Sequence, residues 1–98
     1  MNENLELKKT LEYIGVSEKE ILLYLALLSL GKGTVTQISP NAGINRPTGY
    51  HNLDSLELKE LVKVSGKEPK QEYVAESPDQ IEKFLLKKIE NDQSYIKE

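Results

Sequence analysis

The sequence contains no cysteine, so a disulfide framework and a thiolate metal site are both excluded, and nothing in it requires an oxidising compartment. It has one histidine, His51, and no acidic pair at metal-ligand spacing, which leaves nucleophilic and zinc chemistry without their parts. Neither a cofactor nor enzymatic activity is expected. Long apolar runs are missing as well. The most apolar stretch, Ile21 to Leu30, is about half of what a bilayer span needs, and the N-terminus, MNENLELKK, is acidic and polar where a signal peptide is basic and then apolar. The expectation is a cytoplasmic protein with no membrane association. "GKGT" at Gly31 lacks the earlier glycine of the Walker phosphate-loop pattern, whose position is held by Ala26, and reads as a loop between helices.

What is present fits one small domain: 98 residues can bury a single core and leave little for a deep substrate pocket. The net charge of −3 is unevenly spread. Residues 1–31 carry three lysines against five glutamates, and residues 71–98 carry four lysines against seven acids. Between them, Lys32, Arg46, Lys59, Lys63, Lys67 and Lys70 face only four acids, giving the middle a net charge of +2. A basic middle is the electrostatic footprint of a polyanion partner, although an ordinary mixed-charge surface gives the same count by chance segregation.

Ser17 with Glu20, Thr34 with Gln37, and Ser77 with Gln80 each have the spacing of a capping box, a hydroxyl three positions ahead of Glu or Gln. Each marks a helix start, and Pro78 adds a favourable first helical position. Upstream, Leu7, Leu11 and Ile14 place an amphipathic helix over about residues 3–14, stopped by Gly15. The helix from about Glu18 to Leu30 is apolar almost all round and is expected to be wrapped by others, within the domain or across a dimer. A third helix runs from about Val35 to Ala42, with Gly43 turning the chain into Ile44. "LVKVS" and "QEYVA" are alternating β-type runs joined through "GKEP". The predicted order is helix, helix, helix, turn, helix, β-hairpin, helix.

The stretch "NRPTGYHNLDSLELKELV" from Asn45 ends as an amphipathic helix but opens with a proline and a glycine. A short helix, a glycine turn and a second helix make a helix-turn-helix, in which the N-terminal end of the second helix enters the major groove of DNA. Asn45 is a sound N-cap, Pro47 falls where the amides have no helical partner, and Gly49 removes a side chain where close approach is needed, either to DNA or to a neighbouring element. At about 100° per residue, Tyr50, Leu53 and Leu56 turn into the core. Thr48, His51, Asn52 and Ser55 then lie opposite, with Lys59 one turn further on. These are hydrogen-bonding groups of the kind that read base edges, and Arg46, the only arginine, stands at the helix entrance where it reaches a phosphate or a guanine.

In order and spacing, "GVSEKEILLYLALLSLGKGTVTQIS", "AGINRPTGYHNLDSLELKELVKV" and "PKQEYVAESP" resemble the DNA-binding domain of TrmB-type transcriptional regulators. The resemblance covers about Leu7 to Leu86 and implies a mainly α, winged helix-turn-helix fold with a small β-hairpin wing. It assigns Val35 to Ala42 to the first helix of the motif and about residues 46–60 to the recognition helix, with Arg46 and Tyr50 at positions where the family has those residues. The wing becomes residues 61–74, with Lys63, Lys67 and Lys70 along phosphates or the adjacent minor groove. Residues 1–76 would then form the DNA-binding domain and residues 77–98 a dimerisation helix, through the apolar stripe of Ile81, Phe84, Leu85 and Ile89.

The sequence departs from the family at Glu60, where glycine is usual, at Pro40 inside the first helix of the motif, where a kink or early break is expected, and at Gly49, commonly a larger residue. Regulators of this type often continue into a sugar-binding effector domain, and no effector site is evident up to Glu98. A stand-alone regulator and a piece of a longer one both fit.

The expected partner is double-stranded DNA, bound by a homodimer that blocks polymerase sterically. The alternative is a winged-helix protein-interaction module, which the acidic total and Leu58, near the polar side of the recognition helix, would suit.

Overall fold

A computed structural model describes the backbone of residues 2–67 and 70–97 and the side chains of 5–67, 70–83 and 85–91. The elements are α1 (Asn2–Tyr13), α2 (Glu18–Leu30), β1 (Lys32–Gly33), α3 (Val35–Ala42), α4 (Arg46–Leu58), β2 (Val62–Ser65), β3 (Glu72–Ala75) and α5 (Pro78–Lys97). The predicted order holds, with one addition. Lys32 and Gly33, expected in a loop, form a short strand that pairs antiparallel with β3, Gly33 opposite Tyr73, so the sheet has three strands in the order β1-β3-β2. Two residues carry too little pattern to read as a strand, and it is the far side of β3 that recruits them.

The helix boundaries follow local chemistry. At α2 the capping box is complete: the Ser17 amide donates to Glu20 Oε1 at 2.8 Å, and the Glu20 amide donates to Ser17 Oγ at 3.2 Å. At α3 the Thr34 amide donates to Gln37 Oε1 at 2.9 Å. At α5 the first turn is closed by the main chain, with the Gln80 amide donating to the Ser77 carbonyl at 2.9 Å. Pro40 does not break α3, which runs on to Ala42. Only two residues follow it, so the one bond that proline cannot donate is lost where the helix is already ending.

Three helix ends share one hydrogen-bond pattern, the Schellman motif, which needs a residue in the left-handed region just past the helix. After α3, Ile44 donates to the Ser39 carbonyl and Gly43 to that of Pro40, at 2.9 and 3.0 Å. After α4, Leu61 donates to Leu56 and Glu60 to Glu57, at 3.0 and 2.9 Å. Gly15 and Gly43 serve the first two ends, and at the third Glu60 adopts φ 63°. The helix therefore ends as a glycine would end it, with the strain carried by a glutamate.

The core is built around α2, whose Ile21, Leu23, Tyr24 and Leu27 are buried against Leu11, Ile38, Leu53, Leu56 and Tyr73 from the other elements. Leu22 and Leu30 remain partly exposed, so α2 is wrapped on most of its circumference and not all of it. Tyr24 Oη donates to the Glu76 carbonyl at 2.5 Å, and the Glu76 amide donates to the Leu61 carbonyl at 2.8 Å, which closes the base of the hairpin onto the core. Burial, with the nearby Glu76 carboxylate, pushes the Tyr24 hydroxyl up to about 12.

One sequence expectation is corrected here. Ile81, assigned to a dimer interface, is only 2% exposed and belongs to the protomer's own core, which removes it from any surface between copies. Leu85 also packs against that core but is only partly covered, Ile89 is half-buried, and Leu86, one position along, is exposed. The Phe84 side chain lies outside the described residues.

Candidate nucleic-acid interface

The α3–α4 pair is the helix-turn-helix that the glycine turn predicts. Asn45 caps α4, its Oδ1 accepting from the Thr48 amide at 3.0 Å, and Pro47 occupies the first turn where its missing donor costs nothing. This capped end projects Arg46, Pro47 and His51 into solvent, with Thr48 half-covered. A shallow cleft of about 300 Å³ runs beside it between Val35, Pro40, Ile44 and Arg46.

Gly49 is buried and faces α3, not solvent. A Cβ placed there would collide with Ser39 Oγ and sit 3.4 Å from Ser39 Cβ, so the missing side chain serves the approach of α3 to α4 and not an approach to DNA. Ser39 Oγ is itself buried without a hydrogen-bond partner.

The side of α4 named from the sequence as groove-facing divides. His51 is exposed as expected. Asn52 is half-buried, with Nδ2 donating to the Thr48 carbonyl at 2.8 Å. Ser55 is half-buried and hydrogen-bonds Glu20. The Lys59 ammonium sits 2.8 and 2.9 Å from the two carboxylate oxygens of Glu20. Ser55 and Lys59 thus turn toward Glu20 of α2, with Asn52 and Thr48 half-buried on the same side of the helix, and the outermost line of the helix is Pro47, His51, Asp54 and Leu58. That line keeps the helical spacing i, i+4, i+7, i+11 and was open to the same wheel construction. Tyr50, expected in the core, packs against it but is only half-buried.

Glu20 is the residue that the sequence reading placed only in a cap. It is 2% exposed, and burial alone would push its carboxyl up; the Lys59 ammonium, the Ser55 hydroxyl and the Ser17 amide and hydroxyl together hold it below its ordinary value of 4.5. A partner 39 residues away leaves no mark in local spacing.

The hairpin packs directly against α4 through β2. Lys63, Lys67 and Lys70 are all exposed. Lys63 lies 3.8 Å from Glu76 in an open geometry that leaves the lysine 76% accessible, so that contact holds it only weakly. Among the described residues, no group of His, Cys, Asp and Glu is arranged to hold a metal ion, and no helix is long and apolar enough to cross a membrane.

The sequence matches the family described as sugar-specific transcriptional regulator TrmB over residues 11–79. No curated protein matches it. In fold it is similar to TrmBL2, an archaeal chromatin protein with a novel mode of DNA binding, at a TM-score of 0.83 and 21% identity, over 99% of this chain and 37% of that one. It is similar also to ST1889 from the thermoacidophilic archaeon Sulfolobus tokodaii, at 0.79 and 16%, over 95% of this chain and 97% of that one. A third neighbour is the homodimeric winged helix-turn-helix DNA-binding domain of Mb0332 from Mycobacterium bovis, at 0.59 and 20%, over 96% of this chain and 86% of that one. At these identities the likeness is one of fold, the winged helix-turn-helix.

Proposed function

The chain belongs to the TrmB family of transcriptional regulators, DNA-binding proteins and not enzymes, and from that premise we propose that it binds a specific duplex sequence as a homodimer. The helix α4 lies in the major groove, with Arg46, Thr48 and His51 at its start nearest the DNA, and the wing lysines Lys63, Lys67 and Lys70 lie along the phosphates. The observation that carries this reading is the capped, solvent-facing start of α4, which presents the chain's only arginine beside an exposed histidine. The planar guanidinium fork of Arg46 suits a phosphate oxygen or a guanine edge.

Dimerisation is assigned to α5, through the partly covered Leu85 and Ile89 with the exposed Leu86. The homodimeric Mb0332 neighbour supports two-fold pairing, which sets two recognition helices about one DNA turn apart. Occupation of a promoter by such a dimer blocks polymerase sterically.

A second reading is favoured by Leu58, which is 86% exposed at the end of α4: a protein partner covering it would make this a protein-interaction module. One experiment separates the two. Purified protein is used to select bound fragments from random or genomic duplexes at about 50 and 200 mM salt. A palindromic site with steep salt dependence is expected, and no enrichment at either salt would sink the DNA-binding reading.

A further inference from the structure

We propose that Asp54 is a specificity-determining residue, a hydrogen-bond acceptor that selects the amino group of a cytosine in the major groove. The proposal rests on the reading above, in which α4 is the recognition helix. Asp54 stands on the outermost line of α4 with His51 one turn before it and Leu58 one turn after. It is exposed, and among the described residues no ion pair or hydrogen bond engages it. The neighbouring acid on the helix, Glu57, belongs elsewhere, since it lines the cleft shared with Val62 and Lys63 at the foot of the wing.

An unpaired carboxylate on a helix that enters a phosphate-lined groove is repelled by every duplex alike. Lys59, the C-cap residue of α4, does not neutralise it, because its ammonium is held by Glu20. The repulsion is offset only where the groove offers a donor. The major groove has two kinds, the N4 amino group of cytosine and the N6 amino group of adenine. Adenine sets its N7 acceptor beside N6, against a carboxylate, whereas cytosine N4 has no acceptor next to it on its own base. A carboxylate therefore selects cytosine and disfavours the remaining bases, so that Asp54 lowers affinity for DNA in general and raises discrimination at one position.

The test is selection from random duplexes by the whole chain, with wild type, Asp54→Ala and Asp54→Asn in parallel. Asp54→Ala is expected to lose about tenfold discrimination at a single C·G pair in each half-site while binding unrelated DNA more tightly. Asp54→Asn is expected to shift that same position toward A·T, because the amide pairs with adenine N6 and N7 together. A wild-type site whose base preferences survive both substitutions would overturn the assignment of Asp54 and leave the DNA-binding reading intact. Uniform change at all positions would overturn it as well. Failure of the wild type to select any sequence would remove the underlying reading and this one with it.

Discussion

Lys59 Nζ lies 2.8 Å from one carboxylate oxygen of Glu20 and 2.9 Å from the other, tying the C-cap of α4 to the first turn of α2. Glu20 is thereby shared between a helix cap, which positions α2, and an ion pair, which fixes the roll of α4 against the core. The Lys59 side chain is 29% exposed and that of Glu20 3%, so the pair is neither fully screened nor fully desolvated.

Replacing Glu20 with Gln is expected to cost about 2 kcal/mol, between the value of an exposed pair and that of a buried one left with an orphaned charge. The pH dependence has a definite sign. The folded-state pKa of Glu20 is lowered from 4.5, so its contribution is complete above that value and is lost as pH falls through the lower folded value. Denaturant unfolding of wild type and Glu20→Gln from about pH 7 to about pH 3 should show a stability gap that is constant near neutrality and closes only in acid. A gap that widened in acid would contradict the assigned pairing.

The same contact separates two lysines that look alike in the sequence. Lys67 is exposed on the wing, and Lys67→Ala should weaken binding uniformly across sequences and lower the salt slope by about one unit. Lys59→Ala should leave the slope unchanged, because its ammonium already neutralises Glu20 and displaces no counterion from DNA. Titrations of one duplex at several salt concentrations decide between the two, and a slope that fell equally for both variants would return Lys59 to the interface.

The contrast shows where a single sequence is legible and where it is not. The helix starts at Ser17 and Thr34, the glycine turn at Gly43 and the alternating runs of the hairpin are set by neighbours within a few residues, and each was readable. So was the helix-turn-helix, since its spacing is local. The orientation of Thr48, Asn52, Ser55 and Lys59 was not, because it depends on the roll of α4, which is fixed by Gly49 nesting on Ser39 and by Glu20 reaching Lys59. Ile81 misled for a related reason: an apolar stripe on a terminal helix looks the same whether it covers its own core or a second copy, and only the packing of α5 distinguishes them.

Glu60 offers a stabilising substitution. Its φ of 63° lies in the left-handed region, which costs a side-chain-bearing residue about 1–2 kcal/mol, and its side chain is exposed. Glu60→Gly removes that strain and returns part of the gain to the greater freedom of the unfolded chain, for a net stabilisation of about 1 kcal/mol. In a domain of this size the melting temperature should rise by about 4–8 °C. Because the Schellman bonds from Glu60 and Leu61 are main-chain, the end of α4 and the foot of the wing should keep their geometry, and site preference should be unchanged.

Ser39 and Gly49 set the closest approach between α3 and α4, and their coupling is measurable. Ser39 Oγ is buried with no hydrogen-bond partner, so Ser39→Ala removes an unsatisfied polar atom and should be neutral or stabilising by about 1 kcal/mol. Gly49→Ala gains up to about 1 kcal/mol of helix propensity but drives its Cβ onto Ser39 Oγ, which must swing away or push the helices apart. With that hydroxyl gone, the nearest contacts of the new methyl are Ser39 Cβ at 3.4 Å and Val35 Cγ1 at 3.6 Å, both at ordinary packing distance. A double-mutant cycle should therefore show Gly49→Ala better tolerated by about 1 kcal/mol or more in the Ser39→Ala background than in the wild type. Strict additivity would mean that the hydroxyl finds another rotamer at no cost, and that glycine at 49 is not required by the packing of the helix-turn-helix.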